Sequence, residues 1–255
     1  MTVMFCDLVG STALAQQLDP EELREMVHIY QRACSEVVRR FEGYIAQYLG
    51  DGLLVYFGYP LAHEDDAQRA VRAGLRILEE VERVNADLER DKSLRLAVRI
   101  GIHTGLVVVG EMGRGDSHEQ LALGDTPNIA ARLQEIAEPD TVLISLTTYR
   151  LIQGFFACRD SGFHTLKGVS TPVQVYIVLD ESGAESRLDA AVSTGLTPLV
   201  GREQEIGLLL DRWEQVQEDA GHVVLLCGEA GIGKSRLLQA IKDRVPREAR
   251  GLYQN

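Results

Sequence analysis

The chain has 255 residues, of which 45% are hydrophobic, 6% aromatic and 25% charged, so it is long and apolar enough for a substantial core and is neither disordered nor fibrous. Its 26 basic and 38 acidic side chains give a net charge of −12 without any run of Lys or Arg. This charge balance predicts no direct binding to nucleic acid, because a grip on phosphates needs a basic patch.

Two further sequence features concern the compartment. No apolar stretch approaches the roughly 20 residues of a membrane-spanning helix, and no basic-then-apolar leader opens the chain. Both features predict a cytoplasmic protein without a membrane span. The cysteines lack CxxC spacing, which favours reduced thiols over a disulfide frame or a zinc site. These are Cys6, Cys34, Cys158 and Cys227.

The first 60 residues predict a strand, a helix and a hairpin. A strand over residues 2–6 stops at Asp7. A long helix then begins with Asp19 as its cap and Pro20 in its first position, and it extends to about residue 42. Two apolar runs at 44–49 and 53–57 flank the sequence Gly50-Asp51-Gly52, which is typical of a tight turn. Asp51 is therefore predicted at the tip of a β-hairpin.

The sequence continues as a mixed α+β pattern. A second amphipathic helix is predicted over residues 65–88, with strands on either side of His103. Asp125 and Pro127 predict the cap and first turn of a third helix that continues to residue 138. Further strands are predicted at 141–144, 155–165 and 173–179. This order predicts one α+β domain over residues 1–179.

A second unit is predicted behind a linker. Residues 180–197 are small and polar, as linkers are. A helix at 203–217, a strand at 223–227, a Gly-rich loop and a helix from Gly233 are then expected. Residues 198–255 are fewer than an ordinary domain contains, so this unit is expected to be the incomplete N-terminal part of one.

Two aspartates are candidates for metal binding. Asp7 follows the first strand and precedes Gly10, Ser11 and Thr12, whose backbone and hydroxyl groups can donate to an anion. Taken alone, Asp7 and Asp51 are explained by capping and by turn formation. If their strands are neighbours, the two carboxylates can converge on Mg²⁺ or Mn²⁺, which prefer oxygen ligands.

Two residues of the third helix are candidates for contacts to a nucleotide. Asn128 and Arg132 lie four residues apart and share one helical face. An amide and a guanidinium suit a sugar oxygen and a phosphoryl group. A solvated face or a structural salt bridge is the alternative explanation of this pair.

The most specific local motif is a phosphate-binding loop over residues 228–235. The sequence from Gly228 to Ser235 fits GxxxxGK[ST] after an apolar run and before a helix. Backbone N–H groups would cradle the phosphates of ATP. The expected contacts come from Gly228, Gly231 and Gly233, with Lys234 on the terminal phosphates and Ser235 on Mg²⁺.

Several motifs together resemble the class III adenylyl or guanylyl cyclase catalytic domain over residues 2–179. They are the segment from Val3 to Thr12, the hairpin sequence Leu49-Gly50-Asp51-Gly52, the segment from Arg99 to Gly105, the segment from Leu123 to Leu133, and Leu166-Lys167-Gly168. Residues 197–255 are similar to the opening of an AAA-like signal-transduction ATPase module.

The resemblance implies a ferredoxin-like βαββαβ fold and a homodimer that converts ATP to 3′,5′-cyclic AMP and pyrophosphate. It implies two Mg²⁺ or Mn²⁺ ions on Asp7 and Asp51 in each site. Asn128 then corresponds to the residue that orients the ribose, Arg132 to the transition-state arginine, and Lys167 to a triphosphate contact.

Two positions depart from the family pattern where the base is recognised. Gln47 stands where many adenylyl cyclases have Lys, and Leu121 where they have Asp or Thr. An amide both donates and accepts, so Gln47 suits adenine in one orientation and guanine in the other. An adenylate cyclase is therefore the main expectation. A guanylate cyclase, and a weakly active nucleotide-sensing or dimerisation module of a transcription-type regulator, are the alternatives.

Overall fold

The computed structural model of the chain describes residues 1–11, 14, 18–92, 94–112, 119–184, 199–217, 223–229 and 232–245. The chain divides into two compact units, Met1–Ala184 and Glu185–Asn255. Two of the predicted site residues, Thr12 and Gly231, lie outside the described residues. Among the helices that are described, none combines the length and the apolar character needed to cross a bilayer.

A seven-stranded sheet with the order β2-β3-β1-β4-β7-β9-β8 forms the centre of the first unit, and β5 and β6 pair separately. Strand β1 is antiparallel to both of its neighbours, β3 and β4. The order β2-β3-β1-β4 is that of a ferredoxin-like βαββαβ core, so the predicted α+β fold is confirmed. The strands are β1 (Thr2–Leu8), β2 (Tyr44–Leu49), β3 (Gly52–Phe57), β4 (Val98–Thr104), β5 (Val108–Met112), β6 (Glu119–Leu123), β7 (Thr141–Ser145), β8 (Phe156–His164) and β9 (Val173–Glu181).

Helices cover both faces of this sheet. Gly74 packs against Ile102 on one face, and the neighbouring strand residue Gly101 lies against the backbone of Ala130 on the other. Because successive strand residues point to opposite faces, the helices that carry Gly74 and Ala130 lie on opposite sides of the sheet. The helices of this unit are α1 (Pro20–Arg40), α2 (Asp66–Lys92), α3 (Asp125–Ile136) and α4 (Leu146–Ile152).

The helix starts show where local sequence signals succeed and fail. Asp19 caps α1 as predicted, accepting hydrogen bonds from the backbone of Glu21 and Glu22 at 2.9 and 2.8 Å. The prediction that Asp125 caps α3 is wrong, because Gly124 takes the cap position at φ 135° and Asp125 is the first helical residue. A side chain would be strained at that backbone angle, which explains why a glycine stands there.

A buried histidine joins β4 to β7. His103 is 9% exposed, and its Nδ1 lies 2.6 Å from the Ser145 hydroxyl oxygen. Burial lowers the pKa of His103 from its ordinary 6.5 to about 4. The unfolded chain therefore binds more protons than the folded chain between these two values, and folding stability is lost as the pH falls through this window.

We expect this histidine to make the fold acid-sensitive. The shift corresponds to a loss of about 2 kcal/mol of unfolding free energy between pH 7.5 and pH 5. Denaturant unfolding over that range measures it, with His103→Gln as the matched variant that cannot titrate. The wild-type curve should fall more steeply than the variant curve by this amount, and parallel curves would contradict the assignment.

The second unit contains helices α5 (Glu203–Gln217) and α6 (Lys234–Arg244), close to the predicted positions. The strand predicted at residues 223–227 is not formed, and the side chains of Val223 and Leu225 are 99% and 82% exposed. A strand of a parallel sheet is stable when neighbouring strands bond its edges and cover its faces. The described part of this unit provides no partner strand for it.

Candidate active site

Strand β1 and the β2–β3 hairpin bring the two predicted metal carboxylates together. The strand continues past its predicted end at Cys6 through Leu8, so that Asp7 pairs in register with Arg99 of β4. On its other edge β1 pairs with β3, which begins directly after Asp51. A side chain built at Gly52 would lie 3.1 Å from Asp7 Oδ1, so the hairpin tip lies against Asp7.

The carboxylate of Asp51 perturbs that of Asp7. Burial, and after it the negative charge of Asp51, raise the pKa of Asp7 from 3.8 to about 6. The backbone N–H of Leu8 and the charge of Arg99 oppose this rise without cancelling it. Asp51 Oδ2 is buried and has no hydrogen-bond partner. The pair therefore lacks the positive charge that would stabilise two ionised carboxylates in this position.

These residues fit a divalent cation of the Mg²⁺ or Mn²⁺ type. Their oxygens are the ligands that such ions prefer, and an unpartnered buried carboxylate oxygen is free to coordinate. Among the described residues, no three or more His, Cys, Asp or Glu side chains come together as a metal site. Two carboxylates are nevertheless sufficient, because Mg²⁺ is commonly held by one or two carboxylates together with substrate phosphates and water.

Arg99 is a further candidate site residue, which the sequence analysis did not single out for its chemistry. Its charge lowers the pKa of Asp7, and its Nε is buried without a hydrogen-bond partner. A guanidinium with an unused donor next to the metal carboxylates suits an anionic ligand such as a phosphate. The sequence offered one signal for it: Arg99 is a charged residue within an apolar strand, and charged residues are rarely buried without a partner.

Helix α3 carries a second group of predicted residues. Asn128 is exposed on its first turn. Arg132, one turn later, forms an ion pair with Glu135. The charge of Lys167 also contributes to lowering the pKa of Glu135, after the larger effect of Arg132, so the two cations share one carboxylate neighbour. The structure thus groups Arg132 and Lys167 around Glu135, whereas Asp7 and Asp51 lie next to each other.

The remaining predicted phosphate contacts lie in the turn after β1. Gly10 has φ 69°, a left-handed conformation that favours glycine, and its carbonyl accepts a hydrogen bond from Leu14 N–H at 3.0 Å. Ser11 follows and is half-buried. These residues lie three and four positions after Asp7, just beyond the C-terminal end of β1.

The two predicted base-recognition positions lie on strands β2 and β6. Gln47 pairs with Leu54 of β3 after a bulge in β2. The backbone of Leu121 pairs with Gly110 in the β5–β6 ribbon, and its side chain lies outside the described residues. The ribbon touches the main sheet where Ala122 N–H donates to the Tyr56 hydroxyl at 3.0 Å.

The phosphate-binding loop of the second unit is described in part. Lys234 Nζ donates to the carbonyl oxygens of Gly228 and Glu229, both at 2.8 Å. Gly233 has φ 96° and precedes helix α6, in whose first turn Ser235 is exposed. The lysine is therefore folded back onto the loop where phosphates are predicted to bind.

Comparisons with known proteins match both units. Residues 1–180 match the adenylate and guanylate cyclase catalytic domain, and residues 198–255 match the AAA ATPase domain. A protein of Rhizobium meliloti (strain 1021) without an assigned function is 36% identical over 96% of this chain. The adenylyl cyclase CyaB from P. aeruginosa is 33% identical, with a TM-score of 0.68 over 74% of this chain and 95% of that one. The guanylyl cyclase Cya2 is 30% identical, with a TM-score of 0.68 over 72% of this chain and 94% of that one.

The fold and the matched residues define a class III cyclase domain, followed by a segment that matches the AAA ATPase domain. The chain therefore belongs to the family of adenylate and guanylate cyclase catalytic domains. It spans 23% of the length of the Rhizobium meliloti relative named above and 29% of the length of adenylate cyclase 1 from the same organism.

Proposed function

We propose that this protein is an adenylate cyclase that converts ATP to 3′,5′-cyclic AMP and pyrophosphate. The observation that carries the proposal is the carboxylate pair, in which Asp51 Oδ2 is buried without a partner beside an Asp7 of raised pKa. Such a pair suits two divalent cations. When bound, these ions supply neutralisation of the triphosphate and activation of the ribose 3′-hydroxyl.

The chain's own residues then have separate tasks. Asn128 holds a ribose oxygen, which directs the 3′-oxygen toward the α-phosphorus. As the new P–O bond forms and the bond to pyrophosphate breaks, Arg132 stabilises the negative charge that grows on the α-phosphate. Lys167 and Arg99, together with donors from Gly10, Ser11 and Thr12, bind the triphosphate. Pyrophosphate leaves with the electrons of the broken bond, and the 3′-hydroxyl proton is released.

We propose that the active enzyme is a homodimer with shared sites. Arg132 is paired with Glu135 and lies near Lys167, whereas Asp7 and Asp51 form their own cluster. This grouping, with Arg132 held by a carboxylate other than the metal pair, supports an arrangement in which one chain supplies the metal carboxylates and the other chain supplies Asn128 and Arg132. We further propose ATP as the ligand of the loop at 228–235.

The four cysteines are free, which supports the cytoplasm as the location.

A guanylate cyclase is the second candidate, favoured by one specific observation. Gln47 offers both a donor and an acceptor, and the relatives include proteins named for either product. We expect ATP to be preferred over GTP by no more than about 1–3 kcal/mol in kcat/KM, the scale of one unpaired polar group.

One assay tests the proposed function and this preference together. Purified protein is given Mn²⁺ or Mg²⁺ with ATP, with GTP, and with both nucleotides in competition, and cyclic products are quantified. Cyclic AMP as the main product supports the proposal, and cyclic GMP as the main product supports the second candidate. A preference for ATP of several thousandfold would show that groups other than Gln47 and Leu121 read the purine. Binding without any cyclic product identifies the third possibility, a nucleotide-sensing module.

A further inference from the structure

Side chains of helix α1 form hydrogen bonds with the β2–β3 hairpin, which carries Asp51 at its tip. Gln31 Nε2 donates a hydrogen bond to the carbonyl oxygen of Gly50 at 2.8 Å. One turn further along the helix, the hydroxyl oxygens of Ser35 and Tyr48 lie 2.9 Å apart. The Ser35 hydroxyl also lies 2.5 Å from the carbonyl oxygen of Gln31, to which it donates. Two turns of α1 therefore contact the segment that directly precedes Asp51.

The contact to Gly50 acts on the direction in which Asp51 projects. The Gly50 carbonyl and the Asp51 N–H belong to one planar peptide unit, so a hydrogen bond that fixes the carbonyl also fixes the plane from which Asp51 extends. Other restraints at this point are few. Gly50 is exposed, and a side chain built on it would meet no atom within 4 Å.

The charge environment of Asp51 makes this restraint necessary. The carboxylate lies next to Asp7, and the repulsion between them favours movement of the exposed tip away from the strand. Asp51 Oδ2 nevertheless remains buried. A neutral amide donor on the preceding carbonyl opposes that movement without neutralising the carboxylate, which leaves its charge available to a cation.

We propose that Gln31 is a positioning residue for the metal carboxylate Asp51, with Ser35 as a second anchor. The identity of the ligand, a divalent cation with a nucleoside triphosphate, rests on the proposed function. Mutation of a residue that orients a metal ligand typically costs about 10–100-fold in metal affinity, so loss of this restraint should cost about tenfold. Gln31 itself touches neither substrate nor metal.

The test compares three single variants. Gln31→Met keeps the length and the helix propensity of the side chain and removes the donor, whereas Gln31→Lys retains a donor. Arg32→Met is the matched control, because Arg32 is exposed on the same helix and pairs with Glu36 at 3.1 Å rather than with the hairpin. Circular dichroism verifies that all three fold.

Two measurements are made on each variant. Hydrogen–deuterium exchange of the metal-free protein reports on residues 44–57. Electron paramagnetic resonance of free Mn²⁺, with a non-cyclisable ATP analogue, gives the metal dissociation constant. We expect Gln31→Met to exchange faster in the hairpin and to bind Mn²⁺ about tenfold more weakly. Arg32→Met should match the wild type in both measurements. Gln31→Lys retains a donor but adds a positive charge, so it should recover the slow exchange of the hairpin without recovering the Mn²⁺ affinity.

The outcomes separate this inference from the proposed function. Unchanged exchange and unchanged Mn²⁺ affinity in Gln31→Met overturn the positioning role, even if the wild type makes cyclic AMP. Faster exchange with unchanged affinity overturns it as well. If the wild type binds Mn²⁺ and forms no cyclic nucleotide, the proposed function fails. A tenfold affinity loss in Gln31→Met that Arg32→Met does not share still supports the positioning role.

Discussion

We expect Asp7→Ala and Asp51→Ala each to reduce cyclic-nucleotide formation by at least about a hundredfold, since several kcal/mol of charge stabilisation is lost with the metal ions. Either substitution leaves one carboxylate at a site that, in the proposed mechanism, needs two. The measurement is cyclic-product yield with Mn²⁺, with circular dichroism to verify the fold. Substantial turnover by either folded variant would contradict the two-aspartate mechanism.

The ionised carboxylate of Asp7 should lower the free energy of unfolding of the metal-free protein. This effect on stability gives an independent check on the role of Asp7. Its pKa is raised from 3.8 to about 6, so the ionised form of Asp7 is disfavoured in the folded chain and stability declines as the pH rises through this window. After allowance for solvent screening of a half-buried group, the penalty at pH 8 is about 2 kcal/mol. Asp7→Asn removes it.

Without divalent metal, Asp7→Asn should therefore unfold at a higher denaturant concentration than the wild type at pH 8 and at the same concentration near pH 4. Added Mn²⁺ should stabilise the wild type and leave the variant unchanged. If Asp7→Asn is inactive and less stable than the wild type at pH 8, Asp7 is a structural residue. It would then not be a functional residue that lowers the stability of the fold.

Mixing two inactive chains should restore activity if the sites are shared between subunits. We expect Asp7→Ala and Arg132→Ala each to be inactive alone, because every site of the respective homodimer lacks one essential group. In a mixed dimer, one of the two sites contains only native residues. Activity per chain should also fall on dilution, as the dimer dissociates.

The size of the recovery follows from random pairing. About half of the chains enter mixed dimers and each such dimer has one complete site, so the mixture should reach no more than about a quarter of wild-type activity. Cyclic-product yield after incubation of equal amounts measures it, and subunit exchange is verified separately with differently tagged chains. An inactive mixture despite proven exchange would mean that Arg132 acts on the metals of its own chain.

Much of the fold was predictable because its signals are local. The Gly-Asp-Gly sequence placed Asp51 at a hairpin tip from turn chemistry alone, and Asp19 with Pro20 marked the start of α1. The approach of Asp7 to Asp51 depends instead on β1 lying beside β3 in the sheet. No local pattern encodes that neighbour relation, so the residues alone left the convergence open, and the family resemblance was needed to expect it.

Other features were missed for the same reason. Arg99 matters because it pairs across strands with Asp7, and Gln31 because α1 passes beside the hairpin. Both contacts join residues that are far apart in sequence. The apolar run at 223–227 shows the converse error, since a strand pattern by itself does not provide the neighbouring strands that a sheet requires.

Helix α3 packs closely against strand β4 at Gly101, and this contact determines how far the helix lies from the sheet. A methyl group there would lie 2.2 Å from the Gln134 backbone nitrogen and 2.4 Å from the Ala130 carbonyl oxygen, both on helix α3. The observed distance between α3 and the sheet is therefore possible only with a glycine at position 101. Because Arg132 lies on α3, a core substitution that thickens this layer is expected to move the guanidinium even when the substituted residue is not itself one of the proposed site residues. The position of Arg132, the arginine proposed to act in catalysis, is thus set by packing in the protein interior, and it is as well defined as that packing.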